Sequence, residues 1–157
     1  MLYSDNQVEQ RFSRIHQLLD SPEFKHDADG VNPWQPKFAE LIILVDYILL
    51  RAQHEGKRID FYEGVGVHGK IQDITSLVSW LRAGLPNISV NPQVYATNPR
   101  FNWYFNRGTG YFANGVFFTT EFEGDLAFFL DDQRIYLNRQ IRRAIAEAEL
   151  ALQGTSN

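Results

Sequence analysis

The chain contains no cysteine among its 157 residues, and this absence excludes two classes of protein. Without thiols, neither a disulfide-stabilised secreted scaffold nor a thiolate metal site can form. The four histidines show no metal-ligand spacing with one another. We therefore expect a protein that holds no metal and no cofactor, and we expect it in the reducing cytoplasm.

The sequence also lacks a long hydrophobic run. The longest apolar stretch, residues 41–50, is interrupted by Asp46 and is shorter than the roughly 20 residues that a membrane-spanning helix requires. The first ten residues are polar and lack the basic and apolar regions of a signal peptide. No membrane association is expected, which again indicates a cytoplasmic protein.

Positive charge is scarce, since 15 Lys and Arg face 19 Asp and Glu and the net charge is −4. Binding to nucleic acid requires clustered Lys and Arg, so a nucleic-acid partner is not expected. Basic residues are concentrated only near the C-terminus: Arg134, Arg139, Arg142 and Arg143. We interpret this group as a solvated helix face that Glu147 and Glu149 offset, because charge runs usually have that role.

The residues that are present predict one globular domain covering 1–157, since 44% of them are hydrophobic. Apolar residues recur at helical spacing in four segments. The predicted helices cover about 6–19, about 36–55, a stretch from Asp73 to Gly84, and a last helix from Asp131-Asp132 to Gly154. The second helix is apolar on nearly all sides, which predicts a central position in the core.

Aromatic residues are concentrated between 95 and 129, and the hydrophobic period becomes strand-like from 88 to 130. Asn114-Gly115 between two apolar runs predicts a β-hairpin. The predicted fold is therefore helix-dominated α+β: a bundle of about four helices, with a small antiparallel β-meander of three or four strands inserted before the last helix.

A glycine motif, Gly64-x-Gly66-x-x-Gly69, matches the fingerprint of dinucleotide-binding folds. That fingerprint requires an acidic ribose ligand about 20 residues further on. The sequence has no Asp or Glu between Asp73 and Glu121. We therefore interpret the motif as a loop and do not expect it to bind a dinucleotide.

Arginine is followed by a polar residue at short helical spacing in two places. Arg11 precedes His16 in the first helix, and Arg82 precedes Asn87 at the end of the third. Metal-independent RNA cleavage needs a group that accepts the ribose proton and a cation that binds the phosphate. Histidine and arginine can supply these two roles, which makes Arg11 and His16 candidate catalytic residues.

From Pro36 onward, the order of elements resembles that of small bacterial HEPN proteins, helical bundles common in toxin–antitoxin and defence systems. The resemblance rests on four segments: 56–61, 73–78 leading into Leu81-Arg82, Phe128-Phe129, and 132–137. It implies a bacterial protein of a defence or mobile-element context.

In active HEPN ribonucleases, a closely spaced Arg and His work without metal at a dimer interface. Arg82 matches that arginine, but Asn87 occupies the position of the histidine and cannot transfer protons. The resemblance therefore implies a HEPN-like bundle without catalytic activity. Its partner would be another protein, either a second copy in a homodimer or an unidentified protein.

Two alternative functions stay open. One is a metal-independent endoribonuclease that uses Arg11 and His16, with Arg82 as a further phosphate-binding candidate. The other is a small-ligand-binding protein whose aromatic pocket is lined by Trp103, Tyr104 and Tyr111. Of the three functions, the sequence favours the HEPN-like bundle that lacks catalytic activity and associates with a partner protein or with itself.

Overall fold

The computed structural model describes residues 2–25, 34–85 and 100–153 and shows an α+β protein in which about half of these residues are helical. The helices are α1 (Leu2–Leu19), a short 3₁₀ helix (Pro22–Phe24), α2 (Gln35–His54), α3 (Ile74–Gly84), and a π-helix (Leu137–Arg142) that continues directly into α4 (Arg143–Gln153). The strands are β1 (Phe101–Phe105), β2 (Gly108–Tyr111), β3 (Phe117–Thr120), β4 (Leu126–Leu130) and β5 (Gln133–Tyr136). The predicted helix-dominated α+β class is confirmed.

Helix α2 is central, as its apolar sequence predicted, because α1, α3 and α4 all contact it. Eight of its side chains are buried, and those of Ile42, Val45 and Ile48 are completely inaccessible to solvent. Within the described residues, no helix combines the length and the apolar character needed to cross a membrane.

The five strands form two antiparallel sheets, one with the order β1-β4-β5 and one of β2 and β3. The predicted meander would place successive strands side by side, but the β2–β3 hairpin intervenes between β1 and β4 in the chain. Strand β4 takes the central position because all five of its residues are apolar and buried. A strand that is buried on both faces needs cover from two sides.

The two faces of the β1-β4-β5 sheet pack against different partners. Leu126, Phe128 and Leu130 face the helices and belong to the main core. Ala127 and Phe129 face the other way and join Phe118 of the hairpin in a second cluster. The hairpin therefore covers the outer face of the sheet and gives the molecule a third layer.

One predicted turn is present in the structure, and one predicted helix start is not. The Asn114-Gly115 hairpin is confirmed, with Gly115 at φ 88° and its amide bonded to the carbonyl of Phe112 at 2.9 Å. The predicted start of the last helix at Asp131-Asp132 is wrong, because these two residues form the turn between β4 and β5. Residues 133–136 pair with β4, and the helical segment begins only at Leu137.

Candidate ligand-binding cleft

The candidate catalytic residues on α1 do not converge on one site. The Arg11 guanidinium lies 3.9 Å from the centre of the Tyr47 ring on α2. Nε2 of His16 lies 2.9 Å from Oε1 of Glu149 on α4. The two side chains therefore extend from α1 toward different neighbouring helices. Arg82 is exposed near the end of α3, and Asn87 lies outside the described residues.

We predict that the purified protein leaves labelled RNA intact, with or without EDTA. The physical reason is that the proton acceptor and the phosphate-binding cation must reach the same phosphodiester, whereas Arg11 and His16 diverge. Gel analysis of a structured RNA incubated at micromolar protein concentration measures this. Cleavage that persists in EDTA and is lost in both Arg11→Ala and His16→Ala would contradict the prediction.

The three aromatic residues proposed as a pocket lining lie in different surroundings. Trp103 stacks on Trp34 at 5.0 Å between ring centroids and packs against the main core. Tyr104, the next residue of β1, points to the opposite face and contacts Phe118. Tyr111 is 73% exposed on the hairpin. Because neighbouring strand residues alternate between faces, these rings do not line a common pocket.

A different group of residues lines a half-open cavity of about 360 Å³ where the segment around Gly64 meets the end of β5 and the start of the π-helix. We call this cavity the arginine cleft. Its lining residues are Glu63, Gly64, Phe122, Tyr136, Asn138, Arg139, Gln140 and Arg143.

One wall of the cleft is held by the completely buried side chain of Gln140. Its Oε1 accepts a hydrogen bond from the Tyr136 amide at 2.8 Å, and its Nε2 donates to the Glu63 carbonyl at 3.2 Å. Gly64 has φ 79°, and a Cβ at this position would lie 3.1 Å from Nε2 of Gln140. The first glycine of the motif therefore permits a close approach to Gln140.

The start of the π-helix is fixed by Asp125, which is only 3% exposed. Its carboxylate accepts hydrogen bonds from the amides of Leu126, Asn138 and Arg139 at 2.8, 2.9 and 3.1 Å. A carboxylate in this position satisfies the open amides and interacts favourably with the positive end of the helix dipole. Asp125 therefore positions the backbone from which the Arg139 side chain extends.

Each of the two arginines of the cleft lies over an aromatic ring. The Arg139 guanidinium is 3.7 Å from the centre of the Phe122 ring, and that of Arg143 is 3.8 Å from the centre of the Phe61 ring. Such contacts orient the cation without neutralising its charge. Within the described ranges, the Arg139 guanidinium has neither a carboxylate in ion-pair range nor a hydrogen-bond acceptor.

Arg143, in contrast, contacts two carboxylates. Its Nε lies 2.7 Å from Oε2 of Glu147, and its Nη1 lies 3.6 Å from Oε2 of Glu63. The hydrogen bond to Glu147 raises the pKa of Arg143 further above its usual range. Only Glu63 of these two carboxylates lines the cleft.

The interpretation of the C-terminal arginines as a neutralised helix face holds for one of them. Glu147 pairs with Arg143, whereas Glu149 pairs with His16 instead. Arg134 donates to the carbonyls of Thr119 and Gly64, and Arg142 donates to neutral oxygens of Asn138 and Leu19. Of these four arginines, Arg143 is therefore the one with a carboxylate partner among the described residues.

The hydroxyl of Tyr136, a residue in the wall of the cleft, is a neutral group. It accepts a hydrogen bond from the Glu121 amide at 3.1 Å. Burial raises the pKa of this phenol above its usual value, so the hydroxyl stays protonated near neutral pH. Tyr136 is only 1% exposed, so it forms part of the cleft wall and is not poised to act as a base.

The glycine motif leads to a helix N-terminus that is already occupied. The Asp73 carboxylate accepts from the Ser76 amide at 2.9 Å, and it also pairs with Arg58 at 2.8 Å. In a dinucleotide fold, a pyrophosphate takes this place. A carboxylate at the same point would repel it, which supports the expectation that the motif binds no dinucleotide.

Comparisons with known protein families, with curated proteins and with solved structures find no match to this chain. The resemblance to HEPN proteins therefore stays a prediction. The geometry and charge of the arginine cleft are therefore the features that indicate a function for this chain.

Proposed function

We propose that this protein binds a small anionic ligand in the arginine cleft and does not transform it chemically. The observation that carries the proposal is the position of Arg139. Its guanidinium is held over Phe122 at the cleft, and no carboxylate of the described residues neutralises it. A preoriented guanidinium with free N–H groups is well suited to a carboxylate or phosphate group.

The other lining groups support the same class of ligand. Arg143 adds a second cation one helical turn from Arg139, and a volume of about 360 Å³ lies near the lower end of the range of roughly 300–1,000 Å³ that is typical of small-molecule sites. Phe122 and Tyr136 provide apolar surface beside these charges. The combination favours a small molecule with an anionic group on an apolar body.

This proposal adopts the ligand-binding alternative of the sequence analysis, with a different lining from the one first expected. It keeps the expectation of a protein without enzymatic activity, which Asn87 in place of the HEPN histidine also favours. No contact among the described residues specifically favours a homodimer or a protein partner. Association is therefore not part of the proposal.

The test compares Arg139→Gln with Arg142→Gln, two substitutions in the same π-helix that remove the same charge. Benzoate is the probe, because it joins one carboxylate to an apolar ring. We expect Arg139→Gln to weaken benzoate binding about tenfold, which corresponds to one charge-assisted hydrogen-bonded contact. Arg142→Gln should leave the affinity within about twofold, because Arg142 lies outside the lining and reaches it only through its hydrogen bond to the Asn138 side chain, and exposed charges contribute little.

Ligand-detected NMR or titration calorimetry at low ionic strength measures these affinities. If neither benzoate nor phenyl phosphate binds to the unsubstituted protein, the proposed function is wrong. An equal loss in the two variants would show that only the overall charge attracts the probe, and it would also overturn the proposal.

A further inference from the structure

The charges that line the arginine cleft do not balance. Arg139 and Arg143 each contribute a positive charge, and Glu63 contributes a negative one, which leaves a net charge of +1 among the lining residues. Glu147 pairs with Arg143 from outside the lining. With Glu147 counted, Arg139 is the one cation of the lining that has no carboxylate partner among the described residues, so it offers a single charge to an anionic group.

We propose that the ligand is a monoanion with a carboxylate group, and that Glu63 is the residue that rejects doubly charged groups such as a phosphate monoester. This inference rests on the proposed function and names the ligand class for that site. Planar carboxylates match the fork of donors on a guanidinium, so Arg139 can bind one through two parallel hydrogen bonds.

The effect of Glu63 on a second ligand charge follows from Coulomb's law. A dianion experiences twice the repulsion from Glu63 that a monoanion experiences at the same position, and this repulsion offsets part of the doubled attraction to the two arginines. The backbone of Glu63 is fixed at the cleft, which keeps its carboxylate within one side-chain length of a bound ligand. Its carbonyl is bonded to the buried Gln140, and the next carbonyl accepts from Arg134.

The state of the Glu63 side chain is consistent with this role. Hydrogen bonds from backbone amides lower the pKa of its carboxyl, with a smaller contribution from Arg143, so it is ionised at neutral pH. The side chain is 65% exposed and its contact with Arg143 is 3.6 Å, so it contributes little to folding. Its charge can therefore be removed without disturbing the cleft.

The experiment measures three probes at pH 8 against the unsubstituted protein and Glu63→Gln. Benzoate is a monoanionic carboxylate, phenyl phosphate is a dianion at this pH, and methyl phenyl phosphate is a monoanion with the shape of a phosphate. The last probe separates charge from shape. Glu147→Gln is the matched control, because it removes the other carboxylate on Arg143 from outside the lining.

We expect the unsubstituted protein to bind benzoate more tightly than phenyl phosphate, because a dianion loses more hydration on entering the cleft and Glu63 offsets part of its attraction to the arginines. Removing the Glu63 charge should strengthen the two monoanions roughly twofold and phenyl phosphate roughly fourfold, since the Coulomb energy doubles with the ligand's charge and the affinity ratio is therefore squared. Glu147→Gln should change the ratio of phenyl phosphate to benzoate affinity by less than this.

The outcomes separate the two proposals. If benzoate binds and requires Arg139 but Glu63→Gln leaves the phenyl phosphate to benzoate ratio unchanged, the role of Glu63 is wrong and the proposed function stands. A preference for phenyl phosphate in the unsubstituted protein would also overturn the monoanion assignment. If no probe binds to the unsubstituted protein, the proposed function fails and the assignment fails with it.

Discussion

Replacing Phe128 by alanine is expected to lower the free energy of unfolding by about 3–5 kcal/mol, the typical cost of removing a buried phenylalanine from a core. Phe128 is completely buried in the central strand β4. Its ring centroid lies 4.6 Å from that of Phe38 and 5.3 Å from that of Phe24. The substitution would leave a cavity where α2, the 3₁₀ helix and the sheet meet. No single one of these elements could move to fill it.

Urea denaturation followed by far-UV circular dichroism measures this change. Phe117→Ala is the matched control, because it removes the same side chain from a strand position that is 54% exposed. Its cost should stay within about 1 kcal/mol. Equal denaturation midpoints for the two variants would show that Phe128 of β4 is not an important packing contact between the sheet and the helices.

Much of the helical part of the fold follows from the sequence, because helical periodicity is a local property. The predicted bounds of the second and third helices differ from those of α2 and α3 by at most one residue, and Asp73 caps α3 as expected. The order of the strands is not local. An apolar run such as β4 indicates burial on both faces, but it does not tell which strands lie beside it.

The error at Asp131-Asp132 has a specific physical cause. Aspartate is favoured both in tight turns and at helix N-caps, since its short carboxylate accepts bonds from nearby amides in either setting. The residue that caps the last helical segment is Asp125, which precedes it by a whole hairpin of β4 and β5. A cap so distant in sequence has no local signature.

The candidate cleft was predictable only in part. The four-residue spacing of Arg139 and Arg143 places both on one face of a helix, and this could have indicated a shared site. Their interpretation as a solvated face was reasonable because the partners come from elsewhere in the chain. Glu63 and Phe122 reach them only through the tertiary fold, and the burial of Gln140 in an arginine-rich stretch depends on the Glu63 carbonyl.

Replacing Asp125 by alanine is expected to lower the free energy of unfolding by about 2–4 kcal/mol and to weaken benzoate binding as well. The substitution removes the acceptor of three amide hydrogen bonds from a site that is almost fully buried. Loss of a helix cap typically costs about 0.5–2 kcal/mol, and each donor left buried without an acceptor adds about 1–3 kcal/mol unless it finds water. Relaxation of the π-helix would also release the backbone of Arg139.

Asp132→Ala is the control for charge, since Asp132 is exposed in the β4–β5 turn and should change stability by no more than about 0.5 kcal/mol. Asp125→Asn keeps one acceptor oxygen and should recover part of both losses. Denaturation midpoints and benzoate affinities of the three variants measure the two effects together. If Asp125→Ala loses stability but binds benzoate like the unsubstituted protein, the cap stabilises the fold without positioning Arg139. If it matches Asp132→Ala in both measurements, Asp125 has neither role, because the amides of Asn138 and Arg139 must then be satisfied without it.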